Sequence, residues 1–205
     1  MNFKFYKKEF SYFTIDNYFT NDEMQTIGPE LEQYLPQLTD NVGRADNNRS
    51  SKGVFLPTKG LKYINIANKF LKEEMERYTK ADIHFRYITN LLYQSRLLNY
   101  YEDQDFYDTH SDMAVYTMVV MLCKTPQKFK GGDLVLNDID TTIEFKNNRA
   151  VFFPSFAHHT VNKVHMNKED MGKGFGRYSI THMFYIPLDE RNIPTITNQN
   201  YELAV

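Results

Sequence analysis

LLYQSRLLNYY (residues 91–101), YTMVVMLC (116–123), GGDLVL (131–136), TIEF (142–145), AVFFP (150–154), HTVNKV (159–164) and YSITHMFYI (178–186) succeed one another between Ile83 and Pro187. Each run has the length of a strand, and Gly, Asp, Asn and Pro punctuate the intervals between them. The cadence predicts an all-β sandwich or barrel, and a double-sheet jelly roll is the closed arrangement that suits strands this short.

Outward from this block the pattern changes. Residues 3–19 (FKFYKKEFSYFTIDNYF) alternate partially and predict one or two strands. Thr20-Asn21-Asp22-Glu23 has the form of a capping box, which predicts a helix start. Gly28-Pro29 is expected to interrupt that helix or to join two short pieces, while Leu31, Leu35 and Leu38 continue the apolar pattern. The polar stretch 39–60 (TDNVGRADNNRSSKGVFLPTKG) reads as a long mobile loop of the lid type, with Arg44, Arg49 and Lys52 as expected substrate contacts. Leu61, Ile64, Ala67, Leu71, Met75 and Tyr78 recur at helical spacing over about five turns. Residues 188–205 are polar and are expected to wrap the surface. The whole predicts an α+β, mainly β fold in one domain, with strand and helix support over 1–82, a jelly-roll core over 83–187 and a C-terminal tail over 188–205.

Composition sets the outer limits. The chain has 205 residues, 41% of them hydrophobic, enough for one core of ordinary size. Lys and Arg number 24 against 26 Asp and Glu, so no global field favours nucleic acid or an anionic membrane. Cys123 is the one cysteine, so no intramolecular disulfide can form, and MNFKFYKKEF lacks the apolar stretch of a secretory signal. These features lead to the expectation of a soluble, cytoplasmic protein without a membrane span; oligomeric state is not legible.

The residues with chemical content lie in the β-rich half: His110-Ser111-Asp112, then His158-His159, then Arg177. Strand residues two apart project to one face, so His110 and Asp112 could both enter the mouth of a barrel, and a histidine from a later strand could complete a facial triad. Two imidazoles and one carboxylate on one face of an octahedron are associated with non-haem Fe(II) oxygenases. Each element alone has a bland reading. H-x-D arises by chance, adjacent histidines divide between core and surface, and an arginine at a strand start is commonly a surface ion-pair partner.

Four segments in order carry a resemblance. NYYEDQDFYDTHSD (99–112), FKGGDLVLND (129–138), AVFFPSFAHHTVNKV (150–164) and GFGRYSITHMFYI (174–186) resemble the catalytic core of the prolyl-4-hydroxylase-like branch of the Fe(II)/2-oxoglutarate dioxygenases. The resemblance implies a double-stranded β-helix, cupin-like core. It also implies Fe(II) held by His110, Asp112 and His159, with 2-oxoglutarate as cosubstrate and O2 as oxidant; it allows ascorbate. The family pattern places the distal histidine two positions before a valine, here Val161, which favours His159 over His158. Arg177 matches the basic residue that pairs with the distal carboxylate of 2-oxoglutarate, a task suited to a planar guanidinium. Tyr101 and Ser179 match positions that can reach the cosubstrate. One departure is the stretch VHMNKEDMGKGF (164–175), which separates His159 from Arg177 by more than the family spacing and reads as a hairpin insertion, with Lys163 as the less favoured alternative to Arg177.

The implied reaction is hydroxylation of an unactivated C–H bond coupled to decarboxylation of 2-oxoglutarate to succinate and CO2. Asp112 occupies the position that related halogenating enzymes leave vacant, which favours hydroxylation. A prolyl or another amino-acid residue of a peptide or protein is the leading substrate, followed by a free amino acid; nucleic acid is not expected at a net charge of -2. The alternatives are a non-catalytic jelly roll that binds a metal or small ligand and a Zn(II) or Mn(II) cupin-like enzyme.

Overall fold

The structure, a computed structural model, describes residues 1–40, 48–57, 60–67, 82, 85, 93–185 and 202–203. The N-terminal segment forms the antiparallel hairpin β1 (Asn2–Lys7) and β2 (Ser11–Asp16). Helix α1 (Asn21–Glu32) follows, and the expected capping box is present: Glu23 N–H donates to Thr20 Oγ1 and Thr20 N–H to the Glu23 carboxylate.

The expected interruption at Gly28-Pro29 does not occur, and α1 runs through Pro29 to Glu32. Gly28 lacks the Cβ that would clash with the Pro29 ring, which removes one cost of a proline inside a helix; the missing N–H and the contact of the ring with the Gln25 carbonyl remain, and they are offset by the burial of Ile27 and Leu31 in the core.

The polar stretch 39–60 also departs from expectation. Among its described residues it contributes β3 (Thr39–Asp40), β4 (Arg49–Ser50) and β5 (Lys52–Phe55). Backbone pairing at sheet edges requires no apolar side chains, and Arg49 and Ser51 are buried there with hydrogen-bond partners of their own. Arg44 lies outside the described residues, and Lys52 is exposed. Residues 62–67 are helical; the rest of the helix expected to reach Tyr78 lies outside the described residues.

The remaining strands are β6 (Tyr93–Tyr101), β7 (Phe106–His110), β8 (Tyr116–Leu122), β9 (Phe129–Gly131), β10 (Leu134–Leu136), β11 (Thr141–Ile143), β12 (Arg149–Pro154), β13 (His159–Val161), β14 (Val164–Met166), β15 (Arg177–Tyr185) and β16 (Glu202–Leu203). The large sheet has the order β1-β2-β12-β8-β15-β6-β5-β3, the smaller one β11-β10-β13-β7-β4. Of the tail expected to wrap the surface, the described residues form β16, which pairs with β6.

Strand alternation builds two cores. On β6, β8, β12 and β15, Leu98, Tyr100, Met118, Val120, Leu122, Ala150, Phe152, Tyr178, Ile180 and Phe184 face one way, into a cluster with Ile27 and Leu31 of α1 and Tyr63 and Ile64 of the 62–67 helix. Phe152 is its aromatic hub, 4.8 Å from Phe13 and 5.3 Å from Tyr116 between ring centroids, and a buried phenylalanine of this kind contributes about 3–5 kcal/mol. Tyr101, Val119, Met121, Val151 and Phe153 face the other way, where they meet Leu134, Leu136, Ile143 and Val161 of the smaller sheet. This jelly-roll arrangement leaves the space between the sheets for side chains from both.

The segment 164–175 is more than a free hairpin loop. β14 pairs with β9 in a small sheet, Val164 opposite Gly131, and Gly132 N–H donates to the Lys163 carbonyl. The extra residues thus brace the turn that carries Gly132.

Candidate metal centre and cosubstrate pocket

The pairing of β13 with β7 sets His159 directly opposite His110. Their rings lie 4.1 Å apart between centroids, and each is nearly buried, at 3% and 7% exposure. Asp112 completes the group, with one ligand atom from each residue falling within 4.8 Å of the others. His159 Nε2 stands 3.7 Å from Asp112 Oδ2, and His110 Nε2 stands 4.0 Å from Asp112 Oδ1.

Each imidazole is fixed by a local carbonyl. His110 Nδ1 donates to the Asp108 carbonyl at 2.8 Å and His159 Nδ1 to the Ala157 carbonyl at 2.9 Å. A carbonyl only accepts, so the proton sits on Nδ1 and the Nε2 lone pair faces the centre, the tautomer a metal ligand requires.

Asp112 reaches the centre by a different route from the one its spacing suggested. His110 ends β7, and Asp112 lies in the turn beyond it. Its backbone N–H donates to the Ser155 carbonyl at 3.0 Å, tying the turn to the end of β12. Thr117 Oγ1 donates to Asp112 Oδ2 at 2.6 Å, and since its hydrogen is spent there, Ser155 Oγ, 2.8 Å away, donates to Thr117. Sequence reasoning did not single out Thr117 or Ser155. A threonine within YTMVVML reads as an ordinary β-branched strand residue.

Arg177 opens β15, faces Tyr101 of β6 in register, and is fully buried. Its Nε donates to the Gly132 carbonyl at 2.7 Å, and its guanidinium lies 4.9 Å from the Tyr101 ring centre and 5.7 Å from that of Phe145. Both terminal nitrogens, Nη1 and Nη2, lack a hydrogen-bond partner among the described residues. Burial pushes the Arg177 pKa down, while Tyr101 and Asp133 oppose the shift. An arginine retains its proton in protein interiors, so two orphaned charged donors call for an anion, and their fork matches a carboxylate.

Tyr101 and Ser179 are buried, at 1% and 2% exposure. His158 is more than half exposed in its side chain and pairs with Asp138 at 3.0 Å, away from the cluster. Lys163 lies over Phe106, its Nζ 5.6 Å from the ring centre. Tyr107 and Gly132 also belong to this neighbourhood. Gly131-Gly132 is conspicuous in the sequence, but its contact with Arg177 is made only by the fold.

Residues 96–185 match the model of the 2OG-Fe(II) oxygenase superfamily. That stretch is similar to the superfamily and carries the clustered His110, Asp112 and His159 together with Tyr101, Arg177 and Ser179. The family implies Fe(II), 2-oxoglutarate and O2.

Solved structures agree in fold. A prolyl-4-hydroxylase from Pseudomonas putida superposes with a TM-score of 0.64 at 13% identity, covering 88% of this chain and 95% of its own. The viral collagen prolyl hydroxylase of Paramecium Bursaria Chlorella virus-1, solved as a 2OG complex, gives 0.54 at 13% identity, covering 84% and 94% respectively. An oxidoreductase of the 2OG-Fe(II) oxygenase family from Burkholderia pseudomallei gives 0.51 at 12% identity, with coverages of 86% and 85%. At such identities the likeness is one of fold, the double-stranded β-helix. No curated protein matches the sequence.

Proposed function

We propose that the chain is an Fe(II)- and 2-oxoglutarate-dependent dioxygenase that hydroxylates an unactivated C–H bond, with a prolyl or another amino-acid residue of a peptide or protein as substrate. His110, Asp112 and His159 are its metal ligands, and Arg177 holds the distal carboxylate of 2-oxoglutarate with Tyr101 and Ser179 beside it. The observation that carries this reading is Arg177: a fully buried guanidinium with two unpartnered terminal nitrogens. A jelly roll that merely bound a metal would have no use for such a group, whose desolvation costs several kcal/mol.

Fe(II) at the triad supplies O2 activation coupled to oxidative decarboxylation of 2-oxoglutarate to succinate and CO2. The residues of the chain do the rest. His110 and His159 present Nε2 lone pairs, because their Nδ1 protons are held by carbonyls. The Ser155–Thr117 relay orients Asp112. Arg177 orients the cosubstrate, and the packed rings of Tyr101 and Phe145 keep water from competing for its guanidinium. The choice of a peptide substrate is supported by the four-segment resemblance, whose named branch is that of the prolyl-4-hydroxylases, and by likeness in fold to prolyl hydroxylases.

The test is succinate formation from 2-oxoglutarate by Fe(II)-loaded protein exposed to O2, with peptide and free amino-acid substrates supplied. Turnover in the wild type and its loss in His159→Ala are the expected results. Metal binding without succinate formation on any substrate would transfer the assignment to a binding module.

A further inference from the structure

The ring of Tyr107 lies face to face with the His110 imidazole, 3.5 Å between centroids and 15° between planes. The guanidinium carbon of Arg49 stands 4.6 Å from the centre of the same Tyr107 ring. Two groups this close cannot share one face of a phenol, so Arg49, Tyr107 and His110 form a column.

Arg49 is held at its other contacts. It is 8% exposed, and it is the cross-strand partner of Tyr107 between β4 and β7. Its Nε donates to Ser51 Oγ at 2.6 Å and its Nη2 to Asn99 Oδ1. Asn99 belongs to β6 of the large sheet, opposite Ser179 on one side and Gly53 on the other. A Cβ at Gly53 would stand 3.2 Å from Asn99 Oδ1, so the glycine leaves that side chain room to meet Arg49. The column is therefore anchored in both sheets.

The Nδ1 bond to the Asp108 carbonyl fixes one edge of the His110 imidazole. The Tyr107 ring, stacked at van der Waals distance, covers one face of it and so helps set where Nε2 points.

Resting on the reading of His110, Asp112 and His159 as a metal centre, we infer that Tyr107 and Arg49 are positioning residues for His110, and that this column sets the affinity of the centre for its metal. The expected scale is that of groups that orient a metal-bound histidine, about 10- to 100-fold in affinity. Arg49 is thus assigned to the metal centre rather than to a mobile substrate-contacting loop.

The experiment is a titration of the full chain with Co(II), a redox-inert substitute, followed by its visible absorption, with the thermal midpoint of each metal-free protein recorded alongside. Tyr107→Leu is expected to weaken Co(II) binding about 10- to 100-fold and Tyr107→Phe, which keeps the ring, to stay within about threefold of wild type. Arg49→Lys keeps the charge and loses the plane, and is expected to weaken binding by about threefold or more; Arg49→Met should do so further. Folded Tyr107→Leu and Arg49→Lys proteins that bind Co(II) as wild type does would overturn the inference, even with lowered thermal midpoints, because a purely structural role moves the midpoint alone. Wild-type protein that binds no Co(II) would overturn the metal centre itself, and the inference with it.

Discussion

A methyl group placed on Gly132 would stand 2.6 Å from Cδ of Arg177, and the backbone there has φ of +73°, a region that favours glycine. Gly132→Ala must therefore displace Arg177 or distort the turn. The account predicts at least about a tenfold rise in the 2-oxoglutarate concentration needed for half-saturation, since 1.4 kcal/mol of lost interaction is a factor of ten, with Co(II) affinity retained; equilibrium titration of both ligands checks it. Thr117→Val removes the hydroxyl that donates to Asp112 while keeping the strand's shape. Metal affinity should fall by about 10- to 100-fold with little change in 2-oxoglutarate binding to the metal-loaded protein. At this scale His110, Asp112, His159 and Arg177 were legible because their side chains are chemically conspicuous and their order resembles a family's. Thr117, Ser155, Tyr107 and Arg49 were not, because each acts through a contact that only the pairing of distant strands creates.

Among the elements, the edge of the large sheet is held by a cross-strand ion pair. Asp16 of β2 stands opposite Arg149 of β12, and its carboxylate accepts from Arg149 Nε at 2.5 Å and from Lys146 Nζ at 2.8 Å. The hydrogen bond from Arg149 lowers the Asp16 pKa from 3.8 to about 2. A depressed folded-state pKa means stability present above the ordinary value and lost as pH falls through the depressed one. Asp16→Asn is thus expected to cost about 1–2 kcal/mol near neutral pH, a partly exposed pair being discounted for solvent, and the difference from wild type should shrink between roughly pH 4 and 2. Urea unfolding across that range measures it. Element prediction worked where local chemistry decides: the capping box before α1 and the short apolar runs that form β8 and β12 are both visible in the residues. It went astray where an element is decided by its neighbours. The strands within 39–60 have polar sequences and are recruited by sheet edges, and α1 runs through Pro29 with Ile27 and Leu31 on either side of it buried in the core.

Over the whole molecule, the proposed metal and cosubstrate groups come from β6, β7, β13, β15 and the turn after β7, so ligands held there would bind the folded chain and not the unfolded one. Binding then stabilises by linkage, about 2.7 kcal/mol at a hundredfold excess over Kd. For a chain of this size, with 2–4 °C per kcal/mol, the thermal midpoint should rise by roughly 5–10 °C with Co(II) and by roughly as much again when 2-oxoglutarate is added. The rise should be smaller in Arg177→Met, where the cosubstrate's share is lost, and near zero in His159→Ala. No helix among the described residues is long and apolar enough to cross a membrane. The fold class was readable from turn-punctuated strands, whereas the packing of one sheet against the other, which buries Arg177 beside Tyr101 and Gly132, depends on long-range register that strand patterns do not encode.

The most direct test of the central claim is anaerobic titration of the Fe(II)-loaded protein with 2-oxoglutarate, followed by the visible charge-transfer absorption that appears when a 2-oxo acid chelates Fe(II). The account predicts a saturable signal in the wild type, its absence in His159→Ala, and its displacement to at least about tenfold higher 2-oxoglutarate in Arg177→Met, the scale expected for losing a bidentate charged pair. Equal titration curves for wild type and Arg177→Met, or iron binding with no 2-oxoglutarate signal at all, would contradict it.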